Sequence, residues 1–344
     1  MTVAAESQPT NYTVVGAGAW GTALAIMLAR AGHAVSLITG SNEKADAIQS
    51  LKMNDAALPS IRLPESLTAH SFKRDSAWHD SLSQSPQAVI VLAVPAQATR
   101  QMAQSIHPFL RPGHDLVITA KGLERGTQKR LTTVVQEEAP DPAISVLSGP
   151  SFAHDVARGL PTAVTLAAPT LDQADHLCEL LKGPNFRPYA SDDLIGVQLG
   201  GALKNVLAIA AGVVDGKGLG ESAKAALITR GFAELSRLAI SQGARAETLA
   251  GLSGLGDLIL TCSTAGSRNF RFGYEMGRGA ETAKLMAEGQ SLAEGAKTAS
   301  AALALGQAAG IDMPITQTVA QVVENHMSVD DAIDSLMARP LKRE

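Results

Sequence analysis

The stretch YTVVGAGAWG, residues 12–21, joins an apolar run to a helix-forming segment that ends before Gly32. Its glycines, Gly16, Gly18 and Gly21, have the G-x-G-x-x-G spacing. In a dinucleotide site the first glycine permits a tight turn, the second lets backbone approach a pyrophosphate, and the third lets helix and strand pack closely. The free N–H groups at the helix start then face the phosphates. An ordinary strand-to-helix turn is the alternative, but this context favours a dinucleotide site.

The composition is typical of a globular chain of about two domains. The 344 residues are 45% hydrophobic and 18% charged, enough for two cores at the usual ~150 residues per domain. The formal net charge of −4 argues against a nucleic-acid partner, which needs a basic surface. Cys178 and Cys262 lie far apart in the sequence, and alone they provide neither a disulfide framework nor zinc-ligand spacing. No metal is expected.

The same survey predicts a cytoplasmic protein without membrane insertion. Residues 1–10 contain no basic residue, so they are not expected to act as a signal peptide. No apolar run approaches the ~18 residues of a membrane span. The two isolated cysteines suit a reducing compartment.

Strand and helix patterns predict an α/β Rossmann-type dinucleotide-binding domain, residues 1–191, followed by an all-α domain, residues 192–344. The predicted strands, all parallel, are 12–15, 33–38, 88–94, 116–120, 144–147, 162–166 and 186–189. The predicted helices are 22–30, 97–106, 127–138, 171–182, 194–214, 221–242, 271–278, 291–309, 314–326 and 328–337. The polar stretch 52–85 is expected to hold one helix and a lip over the adenine or substrate side. Ligands bind outside the carboxyl ends of parallel strands, so the glycine turn, Lys121 and residues 149–151 should line one crevice.

The end of the second strand bears on the choice of cofactor. An NAD-specific site usually has an acidic residue about 20 residues after the glycine turn, where it binds the ribose 2′-hydroxyl. Residues 39–42 are instead threonine, glycine, serine and asparagine, so no carboxylate would repel a 2′-phosphate and Ser41 offers a hydroxyl. This favours acceptance of NADP(H). The alternative is that Glu43 or another group fills the NAD role.

Lys204 is the most informative residue of the second half. On a helix its neighbours at i−4, i−3 and i+4 are Gly200, Gly201 and Ala208, all of them small. Each glycine inside a helix costs roughly 1 kcal/mol, so a packing or functional reason is expected. We interpret the glycines as a floor against which a ligand lies beside the lysine. The alternative is a surface lysine on a closely packed helix, but the adjacent Asn205 favours a site.

Two further groups complete the candidate chemistry. Asp257 follows two glycines and would either cap the next helix or orient a lysine ammonium, with Thr261 on the same helix face. Ser267, Arg268 and Asn269 precede a helix, where a hydroxyl, a guanidinium and backbone N–H groups can trap a phosphate or carboxylate. An exposed loop with a helix cap is the alternative for this last group.

Together these features predict hydride transfer between a nicotinamide cofactor and an anionic substrate. A lysine desolvated in a closed cleft can have a pKa lowered toward neutrality, and it can then act as acid in reduction and as base in oxidation. No serine–histidine–aspartate or metal-ligand grouping competes with this interpretation.

Six motifs together resemble bacterial NAD(P)-dependent glycerol-3-phosphate dehydrogenases. They are GAGAWGTALA at 16–25, TAKGLE at 119–124, SGPSFA at 148–153, GVQLGGALKNV at 196–206, GLGDL at 254–258 and SRN at 267–269. The resemblance runs from about residue 12 to 338. It implies reduction of dihydroxyacetone phosphate to sn-glycerol 3-phosphate for phospholipid synthesis, by a cytoplasmic homodimer.

The resemblance also implies roles for individual residues. Lys204 corresponds to the proton donor and acceptor, assisted by Lys121 and Asp257. The implied substrate contacts are Lys121, Gly149, Ser151, Lys204, Asn205, Asp257, Thr261, Ser267, Arg268 and Asn269. The implied cofactor contacts are Gly16, Gly18, Ala19, Trp20, Gly21, Ser41, Lys121, Ala153, Arg268, Leu292 and Glu294.

The chain departs from the family pattern at two places. Ala19-Trp20 replaces a common serine followed by tyrosine or phenylalanine, which leaves the turn intact. Gly40-Ser41 replaces a common histidine, arginine or acidic residue, so the cofactor preference is not determined by the resemblance. Two other functions stay open: a related hydroxyacid or 6-phosphogluconate-type dehydrogenase, and a catalytically silent NAD(P)-binding sensor.

Overall fold

The structure, a computed structural model, describes residues 10–288 and 294–340. Its strands are β1 (Asn11–Val15), β2 (Val35–Thr39), β3 (Leu67–Ser71), β4 (Ala88–Leu92), β5 (Asp115–Ile118), β6 (Ala143–Ser148), β7 (Thr162–Ala167) and β8 (Phe186–Ser191). Its helices are α1 (Ala19–Arg30), α2 (Asn42–Leu51), α3 (Ala77–Gln84), α4 (Thr99–Ile106), α5 (Leu131–Glu138), α6 (Ala153–Ala157), α7 (Leu171–Leu181), α8 (Leu194–Gly216), α9 (Glu221–Ser241), α10 (Ala246–Ala250), α11 (Asp257–Cys262), α12 (Arg268–Gly277), α13 (Thr282–Glu288), α14 (Glu294–Ala308), α15 (Pro314–Val323) and α16 (Val329–Met337). Short 3-10 turns lie at Ala96–Ala98 and His107–Phe109, and a π-helix spans Leu252–Gly256.

The strands form one eight-stranded sheet in the order β3-β2-β1-β4-β5-β6-β7-β8. The first six positions have the 3-2-1-4-5-6 order of the doubly wound dinucleotide fold, which confirms the predicted Rossmann-type class. Every pairing is parallel except that of β6 with β7. The carboxyl ends of β1, β4, β5 and β6 therefore lie at one edge, where the crevice was predicted.

The glycine turn has the geometry that its sequence predicts. Gly16 has a φ of +114°, which favours glycine, and a Cβ there would lie 2.6 Å from the Ala93 carbonyl oxygen. A Cβ on Gly21 would lie 1.9 Å from the Gly16 carbonyl oxygen, so this glycine lets α1 pack closely on the turn. Open space surrounds the Cβ position of Gly18, as close approach of a ligand requires.

The helical half is built around α8. Asp193 accepts a hydrogen bond from the Gly196 N–H at 2.7 Å and caps this helix. By length and composition α8 is long and apolar enough to cross a membrane, so the prediction that no apolar run approaches the length of a membrane span is wrong for this helix. However, 89% of its most apolar 18-residue window is buried inside the protein, which is the setting of a core helix.

Helices α8 and α12 meet along a seam of four glycines. A Cβ on Gly212 would lie 2.1 Å from the Phe270 carbonyl oxygen, and one on Gly216 would lie 2.2 Å from the Tyr274 carbonyl oxygen. From the other side, the Cβ positions of Gly273 and Gly277 lie 1.9 and 2.5 Å from carbonyl oxygens of α8. The missing side chains let the two backbones touch, and this contact places the start of α12 relative to α8.

We expect Gly273→Ala to destabilise the helical half, because its methyl group would collide with the backbone of α8. Overpacking of this kind costs about 1–3 kcal/mol, which urea unfolding can measure. Gly40→Ala is the matched control, since nothing lies within 4 Å of its Cβ position. An unchanged unfolding midpoint for Gly273→Ala would contradict this description of the seam.

Several predicted elements need correction. β3 was not predicted, because the edge strand LTAHS has polar residues between its buried ones; the one helix predicted in 52–85 is α3. β7 runs antiparallel to β6, although a parallel sheet was predicted. The helix predicted from 127 begins only at Leu131, since a small loop with a positive φ at Gln128 precedes it. α12 begins at Arg268, three residues earlier than predicted, because Ser267 caps it.

The remaining helices of the second half follow the predicted pattern with shifted ends. α8, α9 and α16 lie within three residues of their predicted bounds, and α15 ends at Val323, three residues before the predicted end. α14 ends at Ala308, one residue before the end of the helix predicted at 291–309. α11 is the short helix expected at Asp257, whereas α10 and α13 were not predicted. Ser328 caps α16 by accepting a hydrogen bond from the Asp331 N–H.

Candidate active site

Three residues from distant parts of the chain form a charged cluster at the crevice. Lys204 Nζ lies 2.5 Å from Asp257 Oδ1, and Lys121 Nζ lies 2.6 Å from Asp257 Oδ2. One carboxylate therefore binds two ammonium groups, one on α8 and one on the loop after β5. Lys204 also donates to Thr261 Oγ1 at 2.6 Å. Within the described residues the Lys204 ammonium has these two acceptors for its three N–H groups, so one donor stays available.

Burial determines the proton affinity of Lys204. The residue is 8% exposed, and this desolvation lowers its pKa to about 8, with Asp257 opposing and the Lys121 charge reinforcing the shift. An amine with this pKa can hold or release a proton near neutral pH. Burial also raises the pKa of the neighbouring Cys262 thiol to about 12, so this cysteine stays protonated.

The backbone before Asp257 explains how the carboxylate reaches the lysine. Asp257 is the first residue of α11 and directly follows the π-helix Leu252–Gly256, a feature that is frequent at functional sites. Among the described residues no backbone N–H donates to its side chain, which binds the two lysines instead. Of the two alternatives for this residue, lysine binding is the one observed, and Thr261 lies one turn further on as predicted.

The glycine floor beside Lys204 has a different purpose from the one inferred from sequence. A Cβ on Gly200 would lie 2.9 Å from the Ser253 carbonyl oxygen, and one on Gly201 would lie 2.4 Å from Ser148 Oγ. The interpretation of these glycines as a floor for a ligand is therefore wrong. Because these two positions have no side chain, the π-helix and the end of β6 can pack directly against α8. Both parts of the chain therefore lie close to the lysine.

The end of β6 is connected to the same cluster. The Gly149 carbonyl oxygen accepts hydrogen bonds from Lys121 Nζ at 3.1 Å and from Ser151 Oγ at 3.0 Å. Gly149 has a φ of +156°, and a Cβ would lie 2.8 Å from Val164 Cα. The predicted meeting of Lys121 with residues 149–151 at the sheet edge is thus observed.

The start of α12 supplies further polar groups. Ser267 Oγ accepts from the Phe270 N–H at 3.2 Å, which makes it the cap of this helix. Arg268 is exposed, and no described residue forms an ion pair with it. Asn269 Oδ1 accepts from the Gly295 N–H at 3.1 Å, and the Cβ position of Gly295 lies 2.8 Å from the carbonyl oxygen of buried Asn205. These contacts join α12, α14 and α8 near the lysine.

The glycine turn fits a dinucleotide. Gly18 is the N-cap of α1 and has no side chain to bind the first N–H groups of the helix, and nothing lies within 4 Å of its Cβ position. These N–H groups are therefore free to bind a phosphate. Ala19 and Trp20 form the first turn of α1 and are partly buried against the sheet core. Ala153, the first residue of α6, packs against the same core. Ser41 is exposed and caps α2 by accepting from the Lys44 N–H.

Two residues that support this turn were missed from the sequence. The Ala17 carbonyl oxygen accepts from Lys44 Nζ at 2.6 Å and from Asn54 Nδ2 at 3.1 Å. Asn54 is 4% exposed and also donates to Thr22 Oγ1 at 2.8 Å. Burial lowers the pKa of Lys44. The sequence signal for Lys44 was its position shortly after the second strand, where a charged side chain can affect cofactor binding.

For two predicted cofactor contacts, Leu292 and Glu294, the structure gives at most a position in the chain. Leu292 lies outside the described residues, and Glu294 is the first residue of α14. In the described part of the chain, no group of three or more His, Cys, Asp or Glu residues could hold a metal ion.

A dinucleotide-type sheet that faces a helical half with a buried, carboxylate-bound lysine defines the class of two-domain NAD(P)-dependent oxidoreductases. Residues 11–174 match the N-terminal and residues 193–334 the C-terminal sequence model of NAD-dependent glycerol-3-phosphate dehydrogenase. The chain belongs to this family. It is an NAD(P)-dependent oxidoreductase that acts on a CH–OH group.

Individual relatives agree over almost the whole chain. A glycerol-3-phosphate dehydrogenase [NAD(P)+] of Bradyrhizobium sp. (strain BTAi1 / ATCC BAA-1182) is 50% identical, covering 97% of this chain and 98% of the relative. The enzyme of that name from Hyphomonas neptunium is 46% identical, with 97% of each chain covered. The crystal structure of glycerol-3-phosphate dehydrogenase from Coxiella burnetii is 39% identical, has a TM-score of 0.87, and covers 96% of this chain and 99% of its own.

Proposed function

We propose that this protein reduces dihydroxyacetone phosphate reversibly to sn-glycerol 3-phosphate, with Lys204 as proton donor and acceptor. The observation that carries the proposal is the Lys204 ammonium, which is buried, is bound to Asp257 and Thr261, and among the described residues has no acceptor for its third N–H. When bound, the nicotinamide cofactor supplies the hydride for the carbonyl carbon. Lys204 gives its proton to the carbonyl oxygen, so ketone, hydride and proton yield the alcohol.

Asp257 and Lys121 prepare Lys204 for this role. Asp257 holds the ammonium in place and favours its charged form, while Lys121 opposes that form. Together with burial, which lowers the pKa of Lys204 most, these two charges leave a lysine that is protonated at neutral pH yet can lose the proton. In oxidation the neutral amine takes the proton of the substrate hydroxyl. Asn205 and Thr261 complete the pocket around this group.

The substrate phosphate is assigned to the start of α12. Arg268 offers a forked donor, and the helix N-terminus after Ser267 adds backbone N–H groups and a favourable dipole. Asn269, the second residue of α12, is assigned to the same group, and its side-chain oxygen also accepts a hydrogen bond from the Gly295 N–H. Gly149 and Ser151 provide the facing wall at the end of β6.

NAD(H) and NADP(H) are both within the proposal, with NADP(H) favoured. The absence of a carboxylate in residues 39–42 and the Lys44 ammonium beside the Ala17 carbonyl support tolerance of a 2′-phosphate. The cofactor residues are those given by the family resemblance, with Lys121 and Arg268 shared between cofactor and substrate. A side-by-side measurement of kcat/KM with NADH and NADPH decides the preference.

Four broader parts of the proposal rest on family membership and chain organisation. They are a supply of precursor for glycerophospholipids, a homodimer, a cytoplasmic location without membrane insertion, and catalysis without a metal. The division of the chain at residues 191 and 192 is also proposed, and it is supported by the end of β8 at Ser191 and the start of α8 at Leu194.

An NADPH-oxidation assay with dihydroxyacetone phosphate and a panel of keto acids tests the function. We expect turnover of dihydroxyacetone phosphate. Turnover of carboxylate substrates alone would indicate a hydroxyacid or 6-phosphogluconate-type dehydrogenase instead. Cofactor binding without turnover of any substrate would indicate a silent sensor.

The two reaction directions should depend on pH with opposite signs. Reduction needs protonated Lys204, so its kcat/KM is expected to fall as pH rises through about 8. Oxidation of glycerol 3-phosphate needs the neutral amine, so its kcat/KM should rise over the same range. Initial rates between pH 6 and 10 in both directions provide the measurement. Profiles with the same sign in both directions would exclude Lys204 as the shared acid and base.

Arg268→Ala is expected to raise the KM for dihydroxyacetone phosphate by roughly tenfold or more, because a hydrogen bond to a charged group contributes about 1.5–3 kcal/mol. Steady-state kinetics at saturating cofactor measure the change. Arg271→Ala is the matched control, since Arg271 is an exposed arginine one turn further along α12. If the KM of Arg268→Ala is no higher than that of Arg271→Ala, the substrate phosphate does not bind at Arg268.

A further inference from the structure

The loop that carries Lys121 is tied to the segment that precedes α4. Gln97 Nε2 donates to the Leu123 carbonyl oxygen at 2.8 Å, and Gln97 Oε1 accepts from the Arg125 N–H at 2.9 Å. One side-chain amide thus holds the loop backbone on both sides of Glu124. Because the amide is planar and has a donor at one end and an acceptor at the other, it specifies a single orientation of this backbone.

Arg100 holds the residue between these two hydrogen bonds. Its Nε and Nη2 atoms donate to the two carboxylate oxygens of Glu124 at 2.7 and 2.9 Å, which is the bidentate arrangement that gives the strongest and most directional ion pairs. The Glu124 side chain is only 14% exposed. The same guanidinium also binds Glu137 and Glu138 of α5, so it connects the loop to two helices.

The other side of this loop reaches into the helical half. Leu123 is 3% exposed and belongs to the core around α8. Two residues earlier, Lys121 binds Asp257 and the Gly149 carbonyl oxygen. A shift of the loop would therefore move the Lys121 ammonium relative to the carboxylate that it shares with Lys204.

The loop backbone needs external support. Gln128 has a φ of +54°, a conformation that L-residues rarely adopt, and Gly126 has a φ of +84°. Such a backbone persists only where surrounding contacts hold it. Hydrogen bonds from Glu124 N–H to the Lys129 carbonyl and from Gln128 N–H to the Glu124 carbonyl close the turn, while Gln97 and Arg100 attach it to the sheet half.

We propose that Gln97 and Arg100 are positioning residues that hold Lys121 against Asp257 and act on the reaction through Lys121 alone. The proposal rests on the proposed function, because it assigns Lys121 a part in the turnover of dihydroxyacetone phosphate.

A double-mutant cycle tests whether Gln97 acts through Lys121. We expect Gln97→Ala to lower kcat/KM for dihydroxyacetone phosphate roughly tenfold, since small misplacements of a reacting group are costly. In the Lys121→Ala background the same substitution should change kcat/KM by less than about twofold, because Gln97 then has no ammonium group left to position. A factor of about two is the error within which the effects of independent mutations add. Gln101→Ala is the matched control, because Gln101 is exposed on α4 and no side-chain hydrogen bond is found for it among the described residues.

Hydrogen exchange gives a readout that does not depend on turnover. Backbone amides in residues 121–130 should exchange faster in Gln97→Ala and in Arg100→Lys, which retains the charge but loses the fork, than in wild type or Gln101→Ala. Unchanged exchange, or an equal loss of kcat/KM in both backgrounds, would overturn the positioning role alone. Failure of the wild-type protein to reduce dihydroxyacetone phosphate would overturn the proposed function and this role with it.

Discussion

Lys204→Ala is expected to abolish nearly all turnover of dihydroxyacetone phosphate while NADPH binding persists. Removal of a general acid costs about 10²–10⁴-fold in rate, and no other described residue occupies the position between Asp257 and Thr261. The fold should survive, because Asp257 keeps its ion pair with Lys121. NADPH oxidation measures turnover, and NADPH fluorescence titration measures binding.

The matched control for this variant is Lys182→Ala. Lys182 is exposed and pairs with Glu179 on the surface, so its removal should leave both turnover and binding unchanged. Wild-type turnover in Lys204→Ala would exclude the proposed proton transfer. Loss of NADPH binding as well would indicate that the lysine supports the crevice and not only the chemical step.

Asp257→Asn is expected to have the second largest effect, and it should alter the pH profile as well as the rate. The Asp257 carboxylate favours the charged form of Lys204, so its loss lowers the pKa of this lysine further. Less Lys204 is then protonated at neutral pH, and reduction should slow by roughly 10²-fold or more, as for other losses of general acid catalysis. The pH at which the rate of reduction begins to fall should also become lower. Kinetics of reduction from pH 5 to 10 measure both changes.

Stability should change in the same variant. The carboxylate is 1% exposed and binds two ammonium groups, and breaking a buried ion pair costs about 3–5 kcal/mol. Part of this cost disappears if Lys204 becomes neutral. Asp330→Asn is the matched control, because Asp330 is exposed and pairs with Lys217 on the surface. A wild-type pH profile in Asp257→Asn would show that the carboxylate does not control Lys204.

Local patterns in the sequence were sufficient for the glycine turn and the central strands of the dinucleotide half. The glycine turn depends on three residues within six positions, and its geometry agrees with the role predicted for each glycine. The buried parallel strands also show as continuous apolar runs. β3 lacks this signal because it lies at the sheet edge and only alternate residues are buried. The direction of β7 was not accessible, since an apolar strand looks the same in either direction.

In the candidate site, contacts between distant segments matter more than local sequence patterns. Lys204, Asp257, Lys121 and Thr261 were each selected from sequence. A lysine contact was one of the two alternatives for Asp257, but the sequence did not show that this carboxylate binds both lysines or that Lys204 also binds Thr261. Lys204 and Asp257 are 53 residues apart, and Lys121 and Asp257 are 136 apart. No local pattern connects such distances. The glycines beside the lysine were misread for the same reason, because their packing partners lie on other elements.

The sequence by itself determined the class of fold, the glycine turn and the identity of the lysine and carboxylate, since backbone conformation and burial leave short-range patterns. Only the tertiary structure decided which ammonium groups the Asp257 carboxylate binds, and how α8 and α12 meet along four glycines. It also revealed that Gln97 and Arg100 hold the Lys121 loop. These features depend on contacts between distant segments, whose energies appear only when the chain has folded and brought them out of water together.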